Sequence, residues 1–98
     1  MKKIEKRDFN SWRDYYWYYQ HTLASEYYIP ELEKFGVLCA NKKILEIGCG
    51  NGGFIAAFKL EDNNCYGLDI KDMNWESTYG VAYGKVDIFD DVDTFLNT

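Results

Sequence analysis

The sequence predicts an α/β fold built on a parallel sheet, and three observations carry that prediction. Apolar stretches that read as strands alternate with stretches of helical spacing, the pattern of a parallel sheet joined by right-handed crossovers. A glycine-rich turn runs straight from the first of those strands into a helical segment. Ahead of both lies a segment dense in aromatic residues at helical spacing.

Residues 11–28 open the organised part of the chain. Trp12, Tyr16, Tyr19, Leu23 and Tyr27 recur at steps of four, three, four and four, which places them on one face of a helix. Such a stripe is expected to cover the sheet. Ser11 followed by Asp14 is an N-cap pattern with Asp in place of the usual Glu. Pro30 is suited to open a second short helix at its first position, with Glu31 and Glu33 in the favoured first turn. Gly36 after Phe35 is its expected stop.

Residues 43–47, KILEI, read as a strand whose apolar positions do not alternate cleanly, as for a strand covered on both faces. Residues 48–53 form the glycine turn and 54–60 a helix. Residues 65–69 make a second strand that ends on an acid. A short helix is expected within 72–79, a third strand over 81–89 ending near Asp87, and the start of another helix at 91–96. The chain thus divides into a helical cap, residues 1–40, and a β-α-β-β half, residues 41–98.

Size and charge bound what this chain does. Its 98 residues allow one domain, and a chain of that length buries roughly 60–70 % of its unfolded surface. The aromatic share of 18 % compensates, because each ring brings a large apolar area. No stretch of about 18 apolar residues is present, so no membrane span is expected. MKKIEKRDF has no apolar run behind its charges and does not read as a secretory signal. The net charge is −5, with residues 61–98 carrying two bases and nine acids. That acidic half argues against nucleic acid as a partner, since Lys and Arg supply most of the affinity for a phosphate backbone. The cluster Lys2, Lys3, Lys6 and Arg7 reads as a solvated tail. Cys39, Cys49 and Cys65 form no CxxC pair, and the single histidine cannot complete a zinc set, so no metal is expected. An odd cysteine count without a signal fits a reducing cytoplasm, with Cys39 and Cys65 as small buried residues.

The informative segment is Ile44-Leu45-Glu46-Ile47-Gly48-Cys49-Gly50-Asn51-Gly52-Gly53. A ligand lying against a strand tip needs backbone that approaches it without Cβ atoms in the way. Gly48, Gly50 and Gly53 satisfy GxGxxG, the dinucleotide pattern, while Gly48, Gly50 and Gly52 satisfy GxGxG. Glu46 decides between them, because an acid at the strand tip repels a pyrophosphate and favours a cation. Asp69 ends the second strand, where an acid accepts hydrogen bonds from ribose hydroxyls whichever nucleoside is bound.

Residues 46–52, Glu-Ile-Gly-Cys-Gly-Asn-Gly, resemble the first motif of class I S-adenosylmethionine-dependent methyltransferases, acid-x-Gly-x-Gly-x-Gly. The resemblance spans about residues 10–90. It implies a Rossmann-like sheet with S-adenosylmethionine as cofactor and a role for Cys49 within the loop. It carries the ribose role to Asp69 and places Ile70 against the adenine. Val86-Asp87-Ile88 resembles the third motif, with Asp87 near the adenine amino group, but the usual Gly-Asp pair is missing. The family fold has seven strands in the order 3-2-1-4-5-7-6, and this chain supplies strands 1–3. The half that orients the methyl acceptor is missing, which leaves residues 44–47 as an open edge ready to pair with a partner chain or a second copy.

The expected function is methyl transfer to a small-molecule acceptor, in a fragment, a split enzyme or a remnant. A non-catalytic binding or interaction module and a nicotinamide-dinucleotide half-domain are the alternatives. No general base is visible, and His21 reads as a surface residue. Tyr15 and Tyr18, off the aromatic stripe, are the expected exposed pair. A ring near a methylsulfonium is favourable through cation–π attraction.

Overall fold

A computed structural model describes residues 5, 8–75, 80–87 and 89. The elements run α1 (Trp12–Leu23), a π-helical segment (Ala24–Tyr28), α2 (Ile29–Lys34), β1 (Lys43–Ile47), α3 (Gly53–Lys59), β2 (Asn64–Asp69) and β3 (Ala82–Lys85). The three strands form one parallel sheet in the order β1-β2-β3. The fold is therefore α/β, as the alternation of strands and helices implies. The basic cluster Lys2, Lys3, Lys6 and Arg7, residues 76–79 and the expected helix at 91–96 lie outside the described residues.

The helical cap departs from the expectation of two separate helices. Ser11 Oγ accepts from the Asp14 N–H at 3.1 Å and starts α1 as expected. The helix then runs without a break through the π turn into α2. Pro30 explains the widening. Its ring lacks an N–H and clashes with the carbonyl four residues back, that of Glu26. In the π turn, the Ile29 N–H reaches back to the Ala24 carbonyl and the wider loop relieves the clash. The rod ends at Gly36 (φ 81°), with Gly36 N–H to the Glu33 carbonyl and Val37 N–H to the Leu32 carbonyl, both 3.0 Å, a Schellman closure.

The aromatic stripe does not cover the sheet. Trp12 is 60 % exposed, and Tyr16, Tyr19 and Tyr27 are exposed too. Tyr18 is exposed as expected, and Tyr15 is half-buried. The face that packs runs through Trp17, Gln20, His21 and the fully buried Ala24. Small residues decide this. A Cβ on Gly53 would collide with the Trp17 carbonyl, so α1 and α3 approach backbone to backbone. The Trp17 and His21 rings on that face stack on each other at 4.9 Å, and the contact with Gly53 is made by the Trp17 backbone. The outward rings pack on each other instead, as in the Trp12–Tyr16 stack at 5.7 Å.

Helix α3 lies against β1 and β2 and supplies the centre of the core with Ile55, Ala57 and Phe58, joined by Ile29, Cys39, Cys65 and Val81. Burying Ile55 alone contributes about 1.5–3 kcal/mol. In-register pairs share a face, so Ile44/Cys65 and Glu46/Gly67/Tyr83 form two rows across the sheet on the side α3 covers. Leu45 and Ile47, paired with Tyr66 and Leu68, face the other way. Leu45 is 40 % and Ile47 55 % exposed, so β1 is covered on one face only, among the described residues, and its outer edge is open. The expectation of a strand buried on both sides fails here for lack of a second helical layer.

Two further boundaries are corrected. Residues 72–75 contain no helix. The third strand is only Ala82–Lys85, because it pairs only as far as Asp69 on β2 and the ladder stops there. Buried Asn63 joins the sheet's lower loops. Its Oδ1 accepts from the Lys42 N–H at 2.8 Å, and its Nδ2 donates to the carbonyls of Cys39 (2.6 Å) and Phe58 (2.7 Å).

Candidate functional site

The glycine loop leaves β1 at the sheet's carboxyl end and enters α3. Gly48 (φ 74°) and Gly50 (φ 56°) hold left-handed backbone that glycine adopts at little cost. A Cβ on either would meet no described atom within 4 Å. These two positions present bare backbone to open space. Gly52 and Gly67 are different. A Cβ on Gly52 would strike the Tyr83 hydroxyl, and one on Gly67 would lie 2.8 Å from Tyr83 Cδ1 and 3.0 Å from Cys49 Sγ. Their missing side chains make room for the protein's own ring, so Gly52 faces Tyr83 and not the open side.

The loop's N–H groups are mostly spent within the fold. Gly48 and Cys49 both donate to the Leu68 carbonyl, at 2.7 and 2.9 Å. Gly52 donates to the Cys49 carbonyl at 3.0 Å, and Gly50 to Asp69 Oδ2 at 2.9 Å. Asp69 Oδ1 accepts from the Lys71 N–H at 3.1 Å. These Lys71 and Gly50 N–H groups hold the Asp69 carboxyl below its ordinary range. Asp69 is thus an ionised acceptor fixed at the tip of β2, with lone pairs to spare for hydroxyl donors.

Glu46 sits on the α3 face of β1 in the row with Gly67 and Tyr83. Its Oε1 is buried with no hydrogen-bond partner among the described residues. Burial lifts its carboxyl to about 7, and the Ile55 N–H opposes that rise. Cys49 is buried beneath the loop, and desolvation, then the nearby Glu46 and Asp69 charges, push its thiol up to about 12. Cys49 is therefore a packing residue and no nucleophile at neutral pH.

Glu46, Gly48, Cys49, Gly50 and Asp69 are thus brought together. Ile70 follows Asp69 at the strand end and is exposed. Asp87 lies two residues beyond β3, where its Oδ1 accepts from the Phe89 N–H at 3.0 Å and closes a local turn. His21 is not a surface residue. It is half-buried and stacks on Trp17 at 4.9 Å. Burial lowers its pKa, and a hydrogen bond to the Gly53 backbone partly restores it.

Sequence reasoning missed Trp75 and Tyr83. Trp75 Nε1 donates to the Gly50 carbonyl at 2.7 Å, and its ring stacks parallel on Tyr83 at 5.2 Å. The Tyr83 hydroxyl reaches the Gly52 carbonyl at 3.5 Å, and desolvation first, then nearby Cys49, Glu46 and Cys65, lift it to about 12. Gly67 was the available signal, because a glycine inside a strand marks a close approach. No group of three or more His, Cys, Asp or Glu residues is placed to hold a metal among the described residues. No described helix is long and apolar enough to cross a membrane.

Compared with known proteins, the chain matches no family model, no curated sequence and no solved structure.

Proposed function

We propose that this chain is the cofactor-binding half of a Rossmann-like, S-adenosylmethionine-dependent methyltransferase of the cytoplasm, acting on a small-molecule acceptor. The observation that carries the reading is the set of acceptors at the open glycines. Glu46, Asp69 and the Gly50 carbonyl all accept, while the N–H groups of Gly48, Cys49, Gly50 and Gly52 are already engaged. Such a corner suits a cationic nucleoside and opposes a pyrophosphate, which needs free N–H groups. That contrast argues against the dinucleotide alternative. The short α3, with its first turn facing Glu46, adds no anion site.

S-adenosylmethionine supplies an electrophilic methyl group on a sulfonium. Each residue of the chain then has a distinct part. Glu46, neutral or half-ionised when alone, ionises fully beside a cation. Asp69 accepts from the ribose hydroxyls. Gly48 and Gly50 let the ligand lie on bare backbone, and Ile70 offers an apolar surface for the adenine. Asp87 follows Val86, whose N–H bonds the Asp69 carbonyl at 2.9 Å, and would approach the adenine amino group from there. Rate would come from aligning the two reactants. The bare Leu45–Ile47 face and open β1 edge favour a partner chain that completes the acceptor site, and a purely binding role is the second reading.

Parallel calorimetric titrations with S-adenosylhomocysteine and NAD test the proposal. Heat from the first alone is expected. Heat from NAD alone refutes it. Transfer of label from methyl-labelled cofactor by the isolated chain would remove the binding-only reading.

A further inference from the structure

Among the described residues, two large side chains reach the glycine loop, Tyr83 at Gly52 and Trp75 at Gly50, and Trp75 is the one that bonds the open part of the loop. It follows β2 by six positions, and its indole N–H meets the Gly50 carbonyl at 2.7 Å, a short bond. Gly50 is also one of the two positions whose α-carbon faces open space. The Gly52 carbonyl takes the Ala56 N–H and the Tyr83 hydroxyl, and the Cys49 carbonyl takes Gly52 N–H. The Gly50 carbonyl takes the weak Cys49 thiol at 3.7 Å from within the loop, and its one N–H donor among the described residues is the Trp75 indole, a side chain from beyond β2. Tyr83 holds the indole there from below, with the two rings at 4° and 5.2 Å.

We propose that Trp75 is a built-in competitor for the glycine loop: its indole N–H occupies the carbonyl that a ligand's ammonium group takes up on binding. The inference rests on the cationic-ligand reading above and adds a positioning residue to it. An ammonium offers three donors and a full charge, so it forms the stronger bond to that carbonyl. Binding must first release the indole, and the apparent affinity falls by the strength of the bond given up. Once released, the ring remains beside the loop, over Tyr83, as an aromatic wall next to positive charge.

Trp75→Phe keeps a ring on Tyr83 and deletes the N–H. Titrated with S-adenosylhomocysteine, which carries the ammonium, W75F is expected to bind about three- to tenfold tighter than the natural chain, the range of one modest hydrogen bond. A second measurement needs no variant. In the natural chain labelled with nitrogen-15, the Trp75 indole N–H resonance is expected to move away from its hydrogen-bonded position as the ligand saturates. An indole resonance that stays in place at saturation, or binding by W75F that is unchanged or weaker, overturns the competitor role and leaves ligand binding intact. No heat from either protein fails the binding reading itself, and this proposal falls with it.

Discussion

Glu46→Gln is the sharpest test of the acidic corner, because it reports on the free protein before any ligand is added. An unfolded glutamate ionises near 4.5, whereas in the fold burial lifts Glu46 to about 7. Between those values the folded state holds more protons than the unfolded state. Stability therefore falls as pH rises through that window, and the loss is complete just above 7. The displacement from 4.5 to about 7 corresponds to about 3 kcal/mol at about 1.4 kcal/mol per pH unit. Part exposure of the side chain to solvent brings this to about 1–2 kcal/mol. His21 acts with the opposite sign. Its lowered pKa makes the fold gain stability as pH rises toward 6.5. Both proteins share His21, so the difference between them isolates Glu46. Urea unfolding at steps from pH 5 to 8 is expected to show E46Q close to the natural chain at pH 5 and more stable by about 1–2 kcal/mol at pH 8. Two stability curves that stay parallel across the whole range refute the reasoning, since Glu46 would then ionise like any exposed acid.

The other predictions use the same fold. Gly67→Ala drives a methyl into Tyr83 and Cys49 Sγ, and is expected to lower the stability read by urea unfolding by about 1–3 kcal/mol, whereas Gly48→Ala, which meets only open space, costs about 1–2 kcal/mol from its positive φ alone. Asn63→Ala leaves the Lys42 N–H and Cys39 carbonyl without their partners, while the Phe58 carbonyl keeps the Glu61 N–H, and is expected to cost about 2–3 kcal/mol, read by thermal unfolding. Burial raises all three thiols, so a thiol reagent at pH 8 is expected to label none of them until denaturant is added; fast labelling of Cys49 would contradict its place beneath the loop. Ile47→Lys, on the bare sheet face, is expected to change stability by less than about 0.5 kcal/mol and to reduce concentration-dependent association in sedimentation.

The strand–turn–helix–strand core was legible because its signals are local. KILEI, the glycine run and a strand ending on Asp69 all read in sequence order and all stand where that order puts them. Cys39 and Cys65 are buried as small apolar residues should be. The helical cap was not legible, because the number of rings on a stripe does not decide which face packs. Gly53 and Ala24 set the closest approach, and Pro30 inserted a π turn that shifts the face of every residue after it. The third strand was overread because an apolar run from Val81 to Phe89 outlasts the neighbour it pairs with. Trp75 and Tyr83 escaped for a related reason. Their partner at the loop lies 25 residues away for one and 31 for the other, a separation no periodicity reports.

Asn63 has a consequence at the opposite end of the molecule. It ties the run into β1, the end of α3 and the start of β2 into one knot, with the Asn41 N–H to the Asp62 carbonyl at 3.0 Å beside it. Neither strand can slide along the other without breaking that knot. The level at which Glu46 and Asp69 stand is therefore set at the far rim of the sheet, at Lys42 and Asn63, four and six residues before them. A change in the turn at residues 60–62 would be felt as misalignment of two acids it never touches.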